Sequence, residues 1–207
     1  LIILTTLILI FFAGPILADE DLNQQLVLAA ERGQVQLLEQ LLGQGADIEF
    51  DDNLALIVAS KNGQTKVVEI LLKRNSNIHF DIEHNYFSGR SKAFFEASRL
   101  GFLEIVKLFV EKFLEKEVLP SKHFYQALIF AASEGRLDVV DYLLANGVEI
   151  NGLDPHDPIY FTVNGYYGHP SPLGAAALFG HKNVVEFLLS KGAFANQKDR
   201  FDLTPLH

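Results

Sequence analysis

The most constraining feature of this sequence is a glycine that returns at intervals inside the same pattern of small and apolar residues. By subtraction, successive glycines are separated by 30, 38, 34 and 45 residues. These spacings scatter around a period of about 33 residues, which is typical of stacked repeats that bury their apolar faces against their neighbours. The five glycines, which define units 1 to 5, are Gly33, Gly63, Gly101, Gly135 and Gly180.

Each glycine has apolar residues at fixed distances after it and an alanine four residues before it. Positions four, five, eight and nine after a glycine share one face of an α-helix, so they predict an amphipathic helix. All twenty are apolar: Leu37, Leu38, Leu41, Leu42; Val67, Val68, Leu71, Leu72; Ile105, Val106, Phe109, Val110; Val139, Val140, Leu143, Leu144; Val184, Val185, Leu188, Leu189. The sequence therefore predicts an all-α fold of helix-turn-helix units that bury these stripes.

The second helix of each unit is expected to end about twelve residues after the glycine. Gly45, Asn75, Gly147 and Gly192 stand there in four units, and these residue types adopt the left-handed conformation that ends a helix most readily. In unit 3 the position is Phe113, and the apolar pattern continues to Pro120. That second helix is predicted to be longer than the others.

The last part of the chain carries a resemblance to a known family. Ser171-Pro172-Leu173-Gly174, Gly180-His181 and Gly192-Ala193 resemble the ankyrin repeat, and Thr204-Pro205-Leu206-His207 resembles the opening of the next one. The resemblance covers Asp21 to His207. It implies a solenoid of about five repeats and the start of a sixth, with short β-hairpin connections. It also implies that His181 and His207 form structural hydrogen bonds.

The long interval between units 4 and 5 places an insertion at residues 151–170. A strand-like run, Ile159 to Val163, precedes the turn signal Asn164-Gly165, so a protruding β-finger is predicted. Its aromatic residues either pack the finger on neighbouring helices or form a surface that contacts a partner. The candidate contact residues are Tyr160, Phe161, Tyr166, Tyr167 and His156.

The same insertion contains Asp154, His156 and Asp157, which have the side-chain types of a metal site or an acid–base pair. No second histidine stands three or four residues away, and prolines flank the cluster. Turn chemistry is the favoured interpretation. No catalytic residue, metal, cofactor or small-molecule substrate is therefore expected.

The charge balance limits the kinds of partner. The net charge is -9, and no block of lysine or arginine is present to neutralise phosphates, so nucleic acid is not expected as a partner. Acidic residues gather at Asp47, Glu49, Asp51 and Asp52, and again around Asp154 and Asp157. These clusters favour a basic partner surface.

The first eighteen residues resemble an export signal, because an apolar run ends in Ala18 just before the acidic Asp19. We expect residues 1–18 to be a signal peptide and residues 19–207 to be a secreted or periplasmic repeat domain. The alternative is a membrane anchor formed by residues 1–17, which is near the short limit of about 17 residues for a span. Membrane contact is expected only in that case.

The leading functional hypothesis is a module that binds another protein through a concave repeat surface, through the finger, or through both. One alternative is the targeting arm of a larger exported enzyme or toxin, with a catalytic domain beyond His207. A third interpretation is an array that anchors or spaces a cell-envelope assembly. No polar terminal unit is visible in the sequence, so a fragment of a longer protein is expected.

Overall fold

The fold is an array of helix pairs with one inserted β-hairpin. The computed structural model describes residues 16–75, 89–114, 122–152, 161–163, 166–168, 171–198 and 204–205. The helices are α1 (Ile16–Glu31), α2 (Val35–Gly43), α3 (Phe50–Lys61), α4 (Thr65–Arg74), α5 (Gly89–Leu100), α6 (Leu103–Leu114), α7 (Lys122–Ser133), α8 (Leu137–Ala145), α9 (Pro172–Leu178) and α10 (Lys182–Ser190). Each of units 1 to 5 contributes two consecutive helices, as the glycine pattern predicts.

The helices form two rows. The first helices of the units, α1, α3, α5, α7 and α9, each pack against the next one along the array. The second helices pack against their neighbours less extensively. The first helices approach closely because the alanine four residues before each glycine is fully buried, and alanine leaves room for a neighbouring backbone. These alanines are Ala29, Ala59, Ala97, Ala131 and Ala176.

The turn between the two helices of a unit explains why glycine recurs. Gly33 has a φ of 68°, and the other four repeat glycines also have positive φ. In this left-handed conformation the next N–H, that of Gln34, donates to the carbonyl of Ala29 at 2.9 Å. The same bond spans every unit, from the residue after the glycine back to the alanine. It is the Schellman motif, which ends a helix and satisfies one of its last carbonyls.

The apolar stripes are buried in the middle of the array and partly uncovered at its ends. All eight stripe residues of units 2 and 3 are buried. Leu37 in unit 1 is 37% exposed and Leu189 in unit 5 is 44% exposed. The prediction of a buried stripe is confirmed for the central units and wrong for these two leucines, each of which belongs to an outermost described unit.

The ends of the second helices mostly follow the sequence. Gly45, Gly147 and Gly192 have positive φ, as predicted. Asn75 does not: its φ is -87°, and its N–H donates to the carbonyl of Leu71 in the helical pattern. Asparagine, unlike glycine, has a Cβ that disfavours the left-handed region, so this part of the prediction is wrong.

The lengthened second helix of unit 3 is confirmed. Helix α6 continues through Phe113 to Leu114, whereas α8 and α10 have 9 residues each and α6 has 12. Phe113 is almost fully buried. The predicted stop at Pro120 lies outside the described residues.

An aromatic core fills units 3 and 4. The ring of Phe94 lies 5.5 Å from Phe109, 5.6 Å from Phe113 and 5.5 Å from Phe124. Phe113 and Phe124 meet edge to face, with ring centroids 4.7 Å apart. These separations are those that aromatic pairs prefer. Large rings from α5, α6 and α7 therefore replace the aliphatic side chains that fill the other units.

The inserted segment contains the predicted β-finger. Strands β1 (Phe161–Val163) and β2 (Tyr166–Gly168) are antiparallel, with Val163 opposite Tyr166 and Phe161 opposite Gly168. Strand β1 contacts helix α7. Among the described residues these are the only paired strands, and the connection between units 1 and 2, which is described in full, is formed by turns.

The beginning of the described chain overlaps the predicted export signal. Helix α1 begins at Ile16 and continues across the predicted cleavage point between Ala18 and Asp19. Within the described residues, no helix combines the length and the apolar character needed to cross a membrane.

Candidate functional site

The base of the finger is attached to the repeat that follows it. The side-chain oxygen of Asn151 accepts a hydrogen bond from the backbone N–H of Phe194 at 2.8 Å. Its side-chain nitrogen donates to the carbonyl of Gly192 at 3.2 Å, and its own carbonyl accepts from Gln197 Nε2 at 2.9 Å. All three bonds join the end of unit 4 to the loop that follows α10. The finger therefore starts from a point that is fixed to unit 5.

The next residue is held from the other side. Gly152 has a φ of 82°, and a Cβ at this position would collide with the hydroxyl of Tyr125 on α7. Burial raises the pKa of Tyr125 well above its usual value, so the phenol stays neutral. Glycine is required here both for its backbone conformation and for the space that the ring occupies. Units 4 and 5 thus both contact the start of the insertion.

The predicted contact residues of the finger are only partly covered by the structure. Phe161, Tyr166 and Tyr167 lie in the two strands, and Thr162 pairs with Tyr167. Their side chains are not described, and Tyr160 and His156 lie outside the described residues.

A second candidate surface runs along the first helices. Residues five before and one before each glycine are four apart, so they share a helix face. The residues five positions before each glycine form one row, which we name the five-before row, and those one position before form the one-before row. In the five-before row Leu28 is 45% exposed, Val58, Glu96 and Phe130 are half-buried, and Ala175 is buried. The five-before row of this first-helix face is thus mainly apolar, whereas the one-before row also contains Arg32, Asn62 and Glu134.

Two carboxylates on this face share one arginine. Arg99 forms a salt bridge with Glu96 at 2.8 Å within α5 and lies 3.7 Å from Glu134 on α7. The hydrogen bond to Glu96 raises the pKa of Arg99. One guanidinium therefore neutralises carboxylates on two neighbouring units, so these two carboxylates add little net charge to the surface.

The predicted acidic cluster is partly neutralised inside the array. Glu49 pairs with Arg90, and Asp52 lies 3.2 Å from Lys92, both on helix α5. No described cation pairs with Asp47 or Asp51, and both are exposed. Two of the carboxylates that favoured a basic partner, Glu49 and Asp52, thus bind the next unit instead.

The backbone at this cluster has an unusual conformation. Asp51, Asp52 and Asn53 have φ values of 48°, 55° and 63°, in the left-handed region that costs a non-glycine residue about 1–2 kcal/mol. A Cβ at Gly89 would collide with the carbonyl oxygen of Asp52. Unit 3 therefore packs directly on this turn through a glycine.

The residue directly after each repeat glycine, which we name the bridging residue, joins neighbouring units. Gln64 Nε2 donates to the carbonyl of Glu31 at 3.1 Å, and Arg136 Nε donates to that of Arg99 at 3.1 Å. His181 Nε2 lies 2.8 Å from the carbonyl of Ser133. Because a carbonyl only accepts, this nitrogen carries the proton.

The bridging residues also cover the glycine of the preceding unit. At the junction of units 2 and 3 this residue is Phe102, whose ring covers Gly63 without donating a hydrogen bond. Only the role of His181 follows from the family resemblance. The recurrence of polar residues after the glycines, at Gln34, Gln64, Arg136 and His181, was the available sequence signal for the others.

In the part of the chain that the structure describes, no group of three or more histidine, aspartate or glutamate side chains is arranged to bind a metal ion. The predicted turn of Asp154, His156 and Asp157 lies outside it.

Comparison with protein families identifies the fold. A model of ankyrin repeats (3 copies) matches residues 7–85, 26–118 and 76–154, and a single ankyrin repeat matches residues 171–200. The chain belongs to the ankyrin repeat family. Ankyrin repeats generally mediate protein–protein interactions, and the fold is typically a non-catalytic interaction module.

Two curated ankyrin proteins resemble parts of the chain. An ankyrin repeat protein of Rickettsia bellii is 34% identical over 92 residues, which cover 39% of this chain and 38% of that protein. An ankyrin repeat-containing protein of Saccharomyces cerevisiae is 33% identical over 78 residues, covering 38% of this chain and 13% of the yeast protein. The matched regions are thus well under half the length of either relative.

Solved ankyrin structures resemble most of the array. An ankyrin repeat domain from Acinetobacter baumannii superposes with a TM-score of 0.62 at 24% identity, covering 87% of each chain. The human ASB11 ankyrin repeat domain gives a TM-score of 0.64 at 22% identity, covering 88% of this chain and 75% of that one. At these identities the likeness concerns the ankyrin fold alone.

Proposed function

We propose that this ankyrin chain is a protein-binding module that contacts its partner through the 151–170 finger and the first-helix face. The observation that carries the proposal is the attachment of the finger's base. Asn151 is bonded to the loop of unit 5, and Gly152 is packed under Tyr125 of unit 4. A segment fixed at its base loses less conformational entropy when it binds, so it suits recognition.

The composition of the finger supports the same function. Tyrosine offers a large contact area with a polar end, and aromatic residues are enriched at protein interfaces. Phe161, Tyr166 and Tyr167 lie within six paired strand positions. Strand β1 also contacts α7, a first helix, so the finger adjoins the row of helices that carries the second surface.

The first-helix face suits a partner that binds by shape. Leu28, Val58 and Phe130 supply apolar area, and the carboxylates of Glu96 and Glu134 are paired with Arg99. These ion pairs reduce the net electrostatic field at the face, so long-range electrostatic steering of a partner is not expected to dominate binding there. Asp47 and Asp51 at the other end of the array are the sites where a basic partner surface is favoured.

The proposal is tested by replacing both Tyr166 and Tyr167 with alanine and measuring affinity for a protein captured from the native extract. We expect binding to weaken at least about tenfold, because tyrosine is enriched among the hot-spot residues that each contribute about 2 kcal/mol or more to binding. The paired Tyr→Phe variant keeps the rings and serves as the matched control. Unchanged affinity in the alanine variant, with unchanged helicity, would assign the finger to packing.

The dependence of the association rate on salt concentration tests whether the acidic end of the array contacts a basic surface. If Asp47 and Asp51 meet a basic surface, association slows as ionic strength rises, and replacing both with asparagine removes part of that dependence. Association rates that are the same at low and high salt would remove the basic partner from the proposal.

We also propose that the chain is exported, on the basis of the apolar run and small residues in Leu1 to Ala18. Mass spectrometry of the N-terminus of the mature protein tests this. A start at Asp19 supports a cleaved signal, and recovery of residues 1–18 in a soluble cell fraction contradicts export.

A further inference from the structure

A cavity of about 280 Å³ opens at the junction between units 4 and 5. Its lining residues lie on α8, in the turn after α8 and at the end of α10, so it is distinct from the first-helix face. We name it the unit 4–5 cleft. Five lining residues belong to unit 4 and one to unit 5: Asp141, Leu144, Ala145, Val148, Ile150 and Lys191.

The floor of the cleft is apolar. Val148 is almost fully buried, whereas Leu144 and Ile150 are half-buried and leave part of their surface to solvent. Covering this surface stabilises a complex. Pockets for drug-sized ligands have volumes of about 300–1,000 Å³, so this smaller cleft suits a single side chain of a partner.

The charges around the cleft favour a cation. Helix α8 carries Asp138 and Asp141 and no lysine or arginine. Glu149 is exposed beside Val148, and no described cation pairs with Asp138 or Glu149. The cleft also lies at the last turn of α8, where the carbonyl groups give the end of the helix a partial negative charge.

The cation that lines the cleft is held weakly. Lys191 Nζ lies 3.9 Å from Asp141 Oδ1, and both side chains are more than half exposed. Exposed ion pairs of this kind contribute little. The same nitrogen lies 5.1 Å from the centroid of the Phe187 ring, which is a cation–π distance. Lys191 can therefore leave Asp141 and keep a favourable contact with Phe187.

The equivalent carboxylate of unit 2 is satisfied within its own helix. Asp141 and Glu69 both stand six residues after their repeat glycine. Glu69 pairs with Lys66 at 2.9 Å and with Lys73 at 2.8 Å. The residues of unit 4 that correspond to these lysines are Asp138 and Ala145. Asp141 thus lacks the cations of its own helix that hold Glu69.

We infer that the unit 4–5 cleft receives a lysine or arginine side chain of the protein that this chain binds. The aliphatic stem of that side chain would lie against Leu144, Val148 and Ile150, and its cation would pair with Asp141 in place of Lys191. Long basic side chains suit such a cleft, because their stems are apolar and their ends are charged. The inference rests on the proposed function and assigns a basic residue to the partner.

The test titrates the full chain with Nα-acetyl-L-lysine N-methylamide and follows the backbone amide signals by NMR. We expect saturable shifts at Asp141, Leu144, Val148 and Ile150, with a Kd on the order of 1–10 mM for so small a probe. The norleucine counterpart has the same stem without the ammonium group. It should bind about threefold to tenfold more weakly, because it loses the ion pair and the attraction of the helix end.

Three variants separate the roles of the charged residues. Asp141→Asn should weaken binding of the lysine probe at least about threefold, and Lys191→Ala should strengthen it about twofold, because the competing cation is gone. Glu69→Gln is the matched control, since it removes the carboxylate at the same repeat position of unit 2, and it should bind the probe like the unmodified chain. All three side chains reach solvent, and circular dichroism checks that helicity is unchanged.

Shifts that do not saturate, equal affinities for the lysine and norleucine probes, or unchanged binding by Asp141→Asn would overturn the inference. So would weaker binding by Lys191→Ala, which would make Lys191 part of the site and not a competitor. A protein partner that binds Asp141→Asn as tightly as the unmodified chain would overturn it as well. The titrations use no partner, so their failure leaves the proposed function standing, whereas the absence of any protein partner contradicts the proposed function alone.

Discussion

The junction between units 2 and 3 is built differently from the other three junctions. At those three, a polar bridging residue (Gln64, Arg136 or His181) covers a glycine and donates to a carbonyl two residues before it. At the junction of units 2 and 3, Phe102 covers Gly63 with an aromatic ring and donates nothing. A side chain thus covers the glycine at all four junctions, but the hydrogen bond is absent where that side chain is Phe102.

Other interactions are present where that bond is missing. The pairs of Glu49 with Arg90 and of Asp52 with Lys92 both cross the junction of units 2 and 3. On its other side, unit 3 packs through Phe94 and Phe113 against Phe124 of unit 4. All four junctions of this chain therefore share the same packing of a side chain over the glycine. The polar or aromatic contacts around that packing differ from one junction to the next.

The largest expected effect is in the aromatic core. Phe94 is fully buried and contacts three rings from two neighbouring helices, so Phe94→Ala should lower the free energy of unfolding by roughly 3–5 kcal/mol. Equilibrium urea unfolding measures this loss. Leu114→Ala, at a position that is 52% exposed, is the matched control and should change stability by less than about 0.5 kcal/mol. A small loss in Phe94→Ala would mean that the rings are not the core of units 3 and 4.

A similar substitution in the aliphatic stripe of unit 4 tests the other kind of core. Leu143 is fully buried, and Leu143→Ala should cost roughly 2–5 kcal/mol. The loss is expected to reach neighbouring units, because each unit completes its core with the next. Hydrogen exchange should therefore accelerate in α7 and α10 as well as in α8, and acceleration confined to α8 would contradict coupled stacking.

The bridging hydrogen bonds should have a smaller effect. His181→Ala removes the bond to the carbonyl of Ser133 and uncovers Gly135, and the expected loss is about 0.5–1.5 kcal/mol. Gln34→Ala is the matched control, because Gln34 has the same backbone geometry in unit 1 and no hydrogen-bond partner among the described residues. Thermal unfolding of the two variants at low protein concentration separates them. Equal losses of stability in the two variants would show that the hydrogen bond from His181 to Ser133 does not stabilise the array.

The smallest expected effect comes from charges within one helix. Hydrogen bonds from Lys73 and Lys66 lower the pKa of Glu69 to about 2. A lowered carboxyl pKa means that the ion pairs stabilise the fold above the usual pKa of 4.5 and that this contribution is lost as the pH falls towards 2. Carboxyl NMR titration should show the low value, and Lys73→Ala should raise it. A value of 4 or above in the unmodified chain would mean that the exposed pairs do not persist in solution.

Much of the fold follows from local sequence patterns. The glycine, the alanine four residues earlier and the apolar stripe each depend on interactions within one unit, so the helix pairs and the Schellman turns could be predicted. The β-finger followed from Asn164-Gly165 and the strand-like run before it. Leu37 and Leu189 were assigned wrongly because their burial depends on which units stand beside them and not on periodicity.

The contacts between distant residues could not be read from the sequence. Asn151 and Phe194 are 43 residues apart, and the pairing of Glu49 with Arg90 spans 41 residues. The acidic cluster therefore looked like a free surface, although two of its carboxylates bind unit 3. Asn75 was predicted to end α4 in the left-handed conformation, and only the structure shows its helical hydrogen bond to Leu71.

The central claim is that this ankyrin array binds a protein partner and that the finger selects it. The most direct measurement is quantitative mass spectrometry of proteins captured from the native extract by the full chain and by the same chain lacking residues 152–169. We expect a partner that is enriched by the full chain and lost with the finger, while circular dichroism shows the helices intact. A partner retained equally by both chains would contradict the role of the finger, and the absence of any specific partner would contradict the claim itself.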